Sequence, residues 1–327
     1  MNQLQLAFSP ICNFDFSIIK SDPILQNILK ESRIYIIAQR PVLSFENIVP
    51  NIDEGEIQFE IRQIGNPSFL KCKLPIFQND ITLDKSEYIF LSLSSNDINN
   101  KVASIPINNI HRISLIQKDD YIFWISPEMF IHYYLNESLE AEVIGNIDEF
   151  VKYKVKYVGK ATDQDIWKRL TGHATLQEIL SIEYPLNYGS LPTHEIAILF
   201  LKFYDNISIS SFGDDFENEQ ENREMVDTYL GRNMPSQKTI FLDAEKALIK
   251  AMQPKYNKEV YKSYPVSKDG LHKFKYNYYQ FSIKSNIILQ YEQGEIVGMN
   301  ELYGGDSIQV EEGKSMKIVK YSKEPNS

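Results

Sequence analysis

A chain of 327 residues is long enough for two or three domains, each with its own core, and 43% hydrophobic with 24% charged residues is the composition of an ordinary soluble globular protein. The formal net charge of −10 argues mildly against nonspecific binding to polyanions, and no apolar run approaches the roughly 18–20 residues needed to span a bilayer. No basic segment precedes the apolar residues of MNQLQLAFSPICNFDF, so no signal peptide is expected; Cys12 and Cys72 lack metal-type spacing and read as reduced, packed thiols, which points to a cytoplasmic location.

Residues 1–138 read as a β-rich N-terminal domain for recognition or partner binding. RIYIIAQ, GEIQFEIRQI, FLKCKLPIF and EYIFLSLS are rich in β-branched and aromatic residues and are bounded by Asn, Asp, Pro and Gly. One early helix is predicted at SDPILQNILKES, capped by Ser21 or Asp22, with Pro23 in its first turn and Ile24, Leu25, Ile28 and Leu29 at helical spacing. His111 and His132 have no second ligand nearby and read as packing or surface residues.

Residues 139–261 alternate strand-like runs (LEAEVIGNI, KYKVKYVGKA, HEIAILFLKFY) with helical ones (DQDIWKRL, TLQEILS, AEKALIKAM), a small α/β or α+β unit interrupted by an acidic insertion near 211–225. His194 and Glu195 are adjacent, so on a strand they would face opposite ways, and both read as structural. Residues 262–327 are again β-like. Their Lys/Tyr-rich start interleaves Lys262, Lys273 and Lys275 with Tyr276, Tyr278 and Tyr279, offering lysines for phosphates and aromatic faces for bases; an amphipathic strand with tyrosines in the core is the plainer alternative.

The chemistry concentrates in two stretches. In KYVGKATDQDIWKRLTGH, a strand ends in Tyr157-Val158-Gly159-Lys160, Thr162 or Asp163 is placed to cap a helix, and Arg169 and His173 would share a helix side if that helix runs past Gly172. In LDAEKALIKAMQPKYN, a second helix turns Ala244, Leu248, Ile249 and Met252 to the core, carries Glu245 near its N-terminus, and is stopped by Pro254 just before Tyr256-Asn257. Taken singly, Glu245 could merely favour a helix dipole and Tyr157 could merely fill a core.

Together these residues resemble the GIY-YIG nuclease superfamily. Tyr157-Val158-Gly159 is similar to its second signature, Lys160 to the lysine that follows it in the excision-repair branch, Arg169 and His173 to the residues of its first helix, Glu245 to its metal-binding glutamate and Asn257 to its closing asparagine. The resemblance covers the middle third of the chain. The tyrosine of the first signature is expected about eleven positions upstream, where AEVIGNI reads as the neighbouring strand and Asn146 stands instead; Tyr153 is read as sharing a strand face with Tyr157.

The resemblance implies an α+β fold, with a central GIY-YIG-type antiparallel sheet and helices flanked by β-rich N- and C-terminal regions. It implies an endonuclease that hydrolyses DNA phosphodiester bonds with one divalent ion, Mg²⁺ or Mn²⁺, on Glu245. Arg169 would hold the phosphate with its planar fork, Tyr157 would lie beside the attacking water, His173 would hold the phenol or a phosphate, and Asn257 would orient the site. DNA is the expected partner, with RNA less favoured, no membrane, and a homo-oligomer compatible with the sequence. Restriction or phage defence is the context by analogy. The alternative is a catalytically weakened nucleic-acid-binding or scaffold protein with the same fold.

Overall fold

Two sheets share the chain, and the order of elements shows how. The computed structural model describes residues 1–79, 81, 83–84, 87–95, 106–206, 234–274, 276–311 and 313–321; the acidic stretch 211–225 and Lys275 lie outside them. Strands β1 (Asn2–Leu6) and β2 (Ile11–Cys12) are followed by helices α1 (Asn13–Ile19) and α2 (Pro23–Leu29), then β3 (Ile34–Gln39). The chain next builds a separate antiparallel sheet from β4 (Leu43–Asn51), β5 (Glu56–Gln63), β6 (Phe69–Pro75), β7 (Phe90–Ser95), β8 (Ile110–Gln117) and β9 (Asp120–Ile125), closed after α3 (Pro127–Leu135) by β10 (Glu142–Ile144).

It then returns to the first sheet with β11 (Lys152–Lys160). Helices α4 (Ile166–Leu170), α5 (Ala174–Ile182) and α6 (Pro192–Glu195) precede β12 (Ile196–Asn206), and α7 (Gln237–Met252) follows it. Strands β13 (Tyr278–Ile283), β14 (Ile288–Tyr291), β15 (Gly294–Val297), β16 (Ser307–Glu311) and β17 (Ser315–Val319) complete that sheet. Its order is β15-β14-β11-β3-β12-β1-β13-β16-β17, with β2 beside β12.

The fold is therefore mixed α/β and rich in strand, but three consecutive units do not describe it. The first sheet takes strands from before residue 138, from the middle and from after residue 261, while the second sheet is an insertion between β3 and β11. AEVIGNI in particular does not neighbour the Tyr157 strand: β10 pairs with β6, and Asn146 caps a 3-10 turn at Ile147–Phe150.

The core explains why β3 is an unbroken apolar run. Ile34, Ile36 and Ala38 face one side, packed with α7 and the second sheet; Tyr35 and Ile37 face the other, under Phe16 of α1, Leu25 and Leu29 of α2, Ile166 and Leu170 of α4, and Leu176 and Ile179 of α5. A strand covered on both faces has no solvent side to make polar. The α2 helix starts as its sequence predicts, with Asp22 accepting from the Ile24 N–H and Pro23 at its head. Among the described residues no helix is long and apolar enough to cross a membrane.

Candidate active site

The site begins with a defect in strand pairing. Strands β3 and β11 run antiparallel with Val155 opposite Ala38, but Tyr157 is opposite Ile37, so Lys156 is an extra residue in β11. One inserted residue flips every later side chain to the other face. Tyr153 and Val155 consequently pack into the first face with α7, whereas Tyr157 turns to the second face, beside Tyr35. The expectation that Tyr153 and Tyr157 share a face thus fails for a local reason, the bulge at Lys156.

Gly159 is opposite Tyr35, and the ring lies directly over it. A Cβ built on Gly159 would come within 2.5 Å of Tyr35 Cζ and 2.6 Å of Tyr157 Cε1. The glycine leaves room for two phenols on one face of adjacent strands, whose ring centroids are 6.1 Å apart. Gly159→Ala should therefore destabilise the fold by about 1–3 kcal/mol, the usual cost of overpacking, and should displace both rings. An unchanged urea midpoint would mean that the rings are not held there.

His173 fixes one of the phenols. Its Nδ1 accepts the Leu176 N–H at 3.1 Å as the N-cap of α5, so Nε2 carries the proton and donates to Tyr35 Oη at 2.7 Å. The helix expected to carry both Arg169 and His173 is in fact two. Its first part begins after Asp165 rather than at Thr162 or Asp163, and it ends at Leu170; Gly172, at φ +74°, turns the chain and His173 opens the next helix. Left-handed backbone is where glycine costs nothing. Arg169, exposed at the end of the first helix, is nonetheless near enough for its charge to act on both phenols.

Burial dominates the electrostatics. It raises the Tyr35 phenol, reinforced by the neighbouring Tyr157 and opposed by Arg169; it raises Tyr157, reinforced by Glu245 and opposed by Tyr35 and Arg169. Both phenols are protonated at neutral pH. Burial and then Arg169 push His173 down to about 4, so its imidazole is neutral there. As pH falls from about 6.5, the unfolded chain takes up the imidazole proton before the folded one does, and stability drains away toward pH 4. The urea midpoint of the wild type should fall more steeply over that window than that of His173→Gln; parallel curves would show the imidazole to be freely protonated in the fold.

Glu245 reaches the cluster from the other side of β11. Its helix α7 starts at Gln237, capped by the Ser236 side chain, so Glu245 lies in mid-helix and not near the N-terminus, and a helix-dipole role is removed. Ala244, Leu248, Ile249 and Met252 are buried as the spacing predicts, and the helix ends with Gln253 in the left-handed region before Pro254. Glu245 is buried too. Desolvation raises its pKa against the pull of Lys160, whose Nζ lies 2.5 Å from its Oε2, and of Lys246. Asn257 binds the strand between these groups: its Oδ1 accepts the Val158 N–H at 2.9 Å and its Nδ2 donates to the Val158 carbonyl at 2.8 Å, replacing a missing strand neighbour.

Among the described residues no three His, Cys, Asp or Glu side chains are grouped to hold a metal ion by themselves. The donor chemistry present, one buried carboxylate whose charge is felt by the Tyr157 phenol, suits a hard cation of the Mg²⁺ or Mn²⁺ kind that takes its other ligands from water and phosphate. Glu245 would hold it, in place of its bond to Lys160.

The remaining expected residues lie elsewhere. Lys273 and Tyr276 line an open cavity of about 800 Å³ with His272, Asn277, Tyr278 and Tyr279, whereas Lys262 is outside that lining and Lys275 is outside the described residues. The segment is a 3-10 turn (Leu271–Phe274) leading to β13, not one amphipathic strand from its start. His194 and Glu195 sit on the short α6 turn and not on a strand. Glu195 is fully buried, accepting from Gln39 and from the Leu186 N–H, and His194 stacks on Phe14. Burial pushes His132 down to about 4, and Asn136 lies against its ring.

Tyr35 was missed by sequence reasoning, which placed it in an ordinary core strand. The available signal was an Ile-Tyr pair opening a strand that is apolar on both faces, with no other use for its hydroxyl. No known protein family matches the chain, and neither a curated protein nor a solved structure does.

Proposed function

We propose that the protein is a metal-dependent endonuclease of the GIY-YIG kind, hydrolysing phosphodiester bonds in DNA. The observation that carries this reading is the meeting of Tyr35, Tyr157, Arg169, His173 and the Lys160–Glu245 pair near Gly159 of β11, from segments far apart in the chain.

Each residue has a task that its surroundings suit. Arg169, exposed and always charged, docks the scissile phosphate through its planar fork. Tyr157, less buried than Tyr35, stands beside the attacking water, and its phenolate form is favoured by Arg169. Tyr35 holds the Tyr157 oxygen in place, and the neutral His173 holds Tyr35. A divalent cation on Glu245, when bound, neutralises charge that builds on the phosphoryl and leaving oxygens. Water is the nucleophile, and the phosphorus–oxygen bond to the leaving strand breaks.

The wild type should nick supercoiled plasmid with Mg²⁺ or Mn²⁺ and stop on addition of EDTA; DNA bound but uncut with either ion would refute the reading. The second reading, a nucleic-acid-binding protein with weakened catalysis, is favoured by one observation, that Lys160 occupies the Glu245 carboxylate. Restriction or defence against foreign DNA is the biological setting that the reading suggests by analogy.

The cavity around Lys273 and Tyr276 is the proposed secondary contact with DNA. Lys273→Glu should weaken DNA binding and flatten the slope of log affinity against log salt by about 0.9, the share of one phosphate contact. An unchanged slope would return the segment to a purely structural role.

A further inference from the structure

The loop 183–191, between α5 and α6, presents large side chains to solvent. Tyr184 is 87% exposed and Tyr188 fully so, with Leu186 and Leu191 also exposed. Clusters of this kind mark contact sites more often than chance. The loop's backbone is nevertheless held in place. The Gln39 side chain donates to the Tyr184 carbonyl at 2.8 Å, the Leu186 N–H to Glu195 Oε2 at 2.7 Å, and Asn187 Nδ2 to the Ile64 carbonyl at 2.9 Å. Gln39 and Glu195 are themselves buried. The rings therefore stand out from a fixed base.

That base belongs to the catalytic face. Gln39 and Tyr35 are four apart on β3, so their side chains point the same way, about 13 Å apart along the strand. Lysines bridge the gap. Lys154 is exposed and directly opposite Gln39, and Lys255 is exposed as well; both Lys255 and the buried Lys156 pair with Glu183, at 2.8 and 2.5 Å. Tyr256 also donates to Glu183, tying the root of the loop to the residue before Asn257. From Tyr184 to His194 the chain carries no carboxylate, although the protein has a net charge of −10.

We infer that this loop is a stacking platform for unpaired bases of the strand that leaves the active site. Its phosphates follow the exposed Lys255 and Lys154, and Tyr184 and Tyr188 lie against its bases. The inference rests on the nuclease reading and narrows its substrate to DNA with a single-stranded segment beside the scissile phosphate. Rings that protrude beyond the surface stack on splayed bases and not on bases inside a closed duplex, and such stacking is tolerant of sequence.

The test compares a fluorescein-labelled forked DNA with a blunt duplex, by anisotropy in EDTA. The proteins are the wild type, Tyr184→Ala/Tyr188→Ala and Tyr184→Phe/Tyr188→Phe. The alanine pair should bind the fork at least about 25-fold more weakly, about fivefold per ring, with the blunt duplex unaffected and the phenylalanine pair like wild type. Equal affinity for the fork, or equal losses on both DNAs, would overturn the inference while leaving the nuclease reading intact if the wild type still cuts. A dimer that the alanine pair converts to a monomer, with DNA affinity unchanged, would make the loop a self-contact and also overturn it. Wild type that binds neither DNA would sink both readings. Binding as expected without cleavage by the wild type would leave the loop a contact for single strands but overturn its place beside an active site, together with the nuclease reading.

Discussion

Glu245→Gln should abolish cleavage, by about 10³-fold or more, while DNA binding persists. A factor of that size is about 4 kcal/mol of transition-state stabilisation. The carboxylate is buried and acts on the Tyr157 phenol, and the amide keeps its shape but not its charge. The fold should survive the change. Lys160, left without its partner, is 30% exposed and can reach water, and a neutral amide is less costly to bury than an ionised carboxylate. Desolvation already opposes ionisation of Glu245, so the glutamine variant should unfold at the same urea concentration as wild type or a higher one. A variant that cleaves at the wild-type rate would place the cation elsewhere. One that is dead because it is unfolded would show in the same titration.

Tyr35→Phe and Tyr157→Phe should each reduce single-turnover cleavage on the order of 10²–10⁴-fold, the range for loss of a group that handles a proton in the transition state. Their side effects should differ. Removing the Tyr35 oxygen leaves the His173 Nε2–H without its acceptor in a buried place, at a cost of about 1–3 kcal/mol in stability. Tyr157 is less enclosed, and its phenylalanine variant should be closer to wild type in stability. Because the two oxygens act together, the double variant should lose far less than the product of the single losses. If either single variant cuts normally while Glu245→Gln is inactive, the water is activated by another group.

Much of this site was legible in short windows of sequence. The strand ending in Tyr157-Val158-Gly159, the helix face around Arg169, the buried side of α7 with Glu245, and the stop at Pro254 before Asn257 all depend on neighbours within a few residues. What could not be read depends on distant partners. Tyr35 meets Gly159 only because β3 and β11 pair across the whole inserted second sheet, and a search in the adjacent strand led to Asn146 instead. The bulge at Lys156 leaves no mark in a period-two pattern, so Tyr153 looked like a companion of Tyr157. Gly172 could be read as a pause within one helix, and only the left-handed turn makes His173 a cap that aims its other nitrogen at Tyr35. The shared sheet escaped for the same reason: β13 lies beside β1, and no local pattern pairs the two ends of a chain.

The most direct measurement is single-turnover cleavage of one end-labelled forked DNA at saturating enzyme, with Mg²⁺, Mn²⁺ or EDTA, by wild type, Glu245→Gln and Tyr35→Phe. The wild type should cut with either metal and not in EDTA, and both variants should bind the same DNA yet cut it at least about 100-fold more slowly. Wild-type protein that binds this DNA and leaves it intact with every divalent metal would contradict a nuclease built on Tyr35, Tyr157 and Glu245.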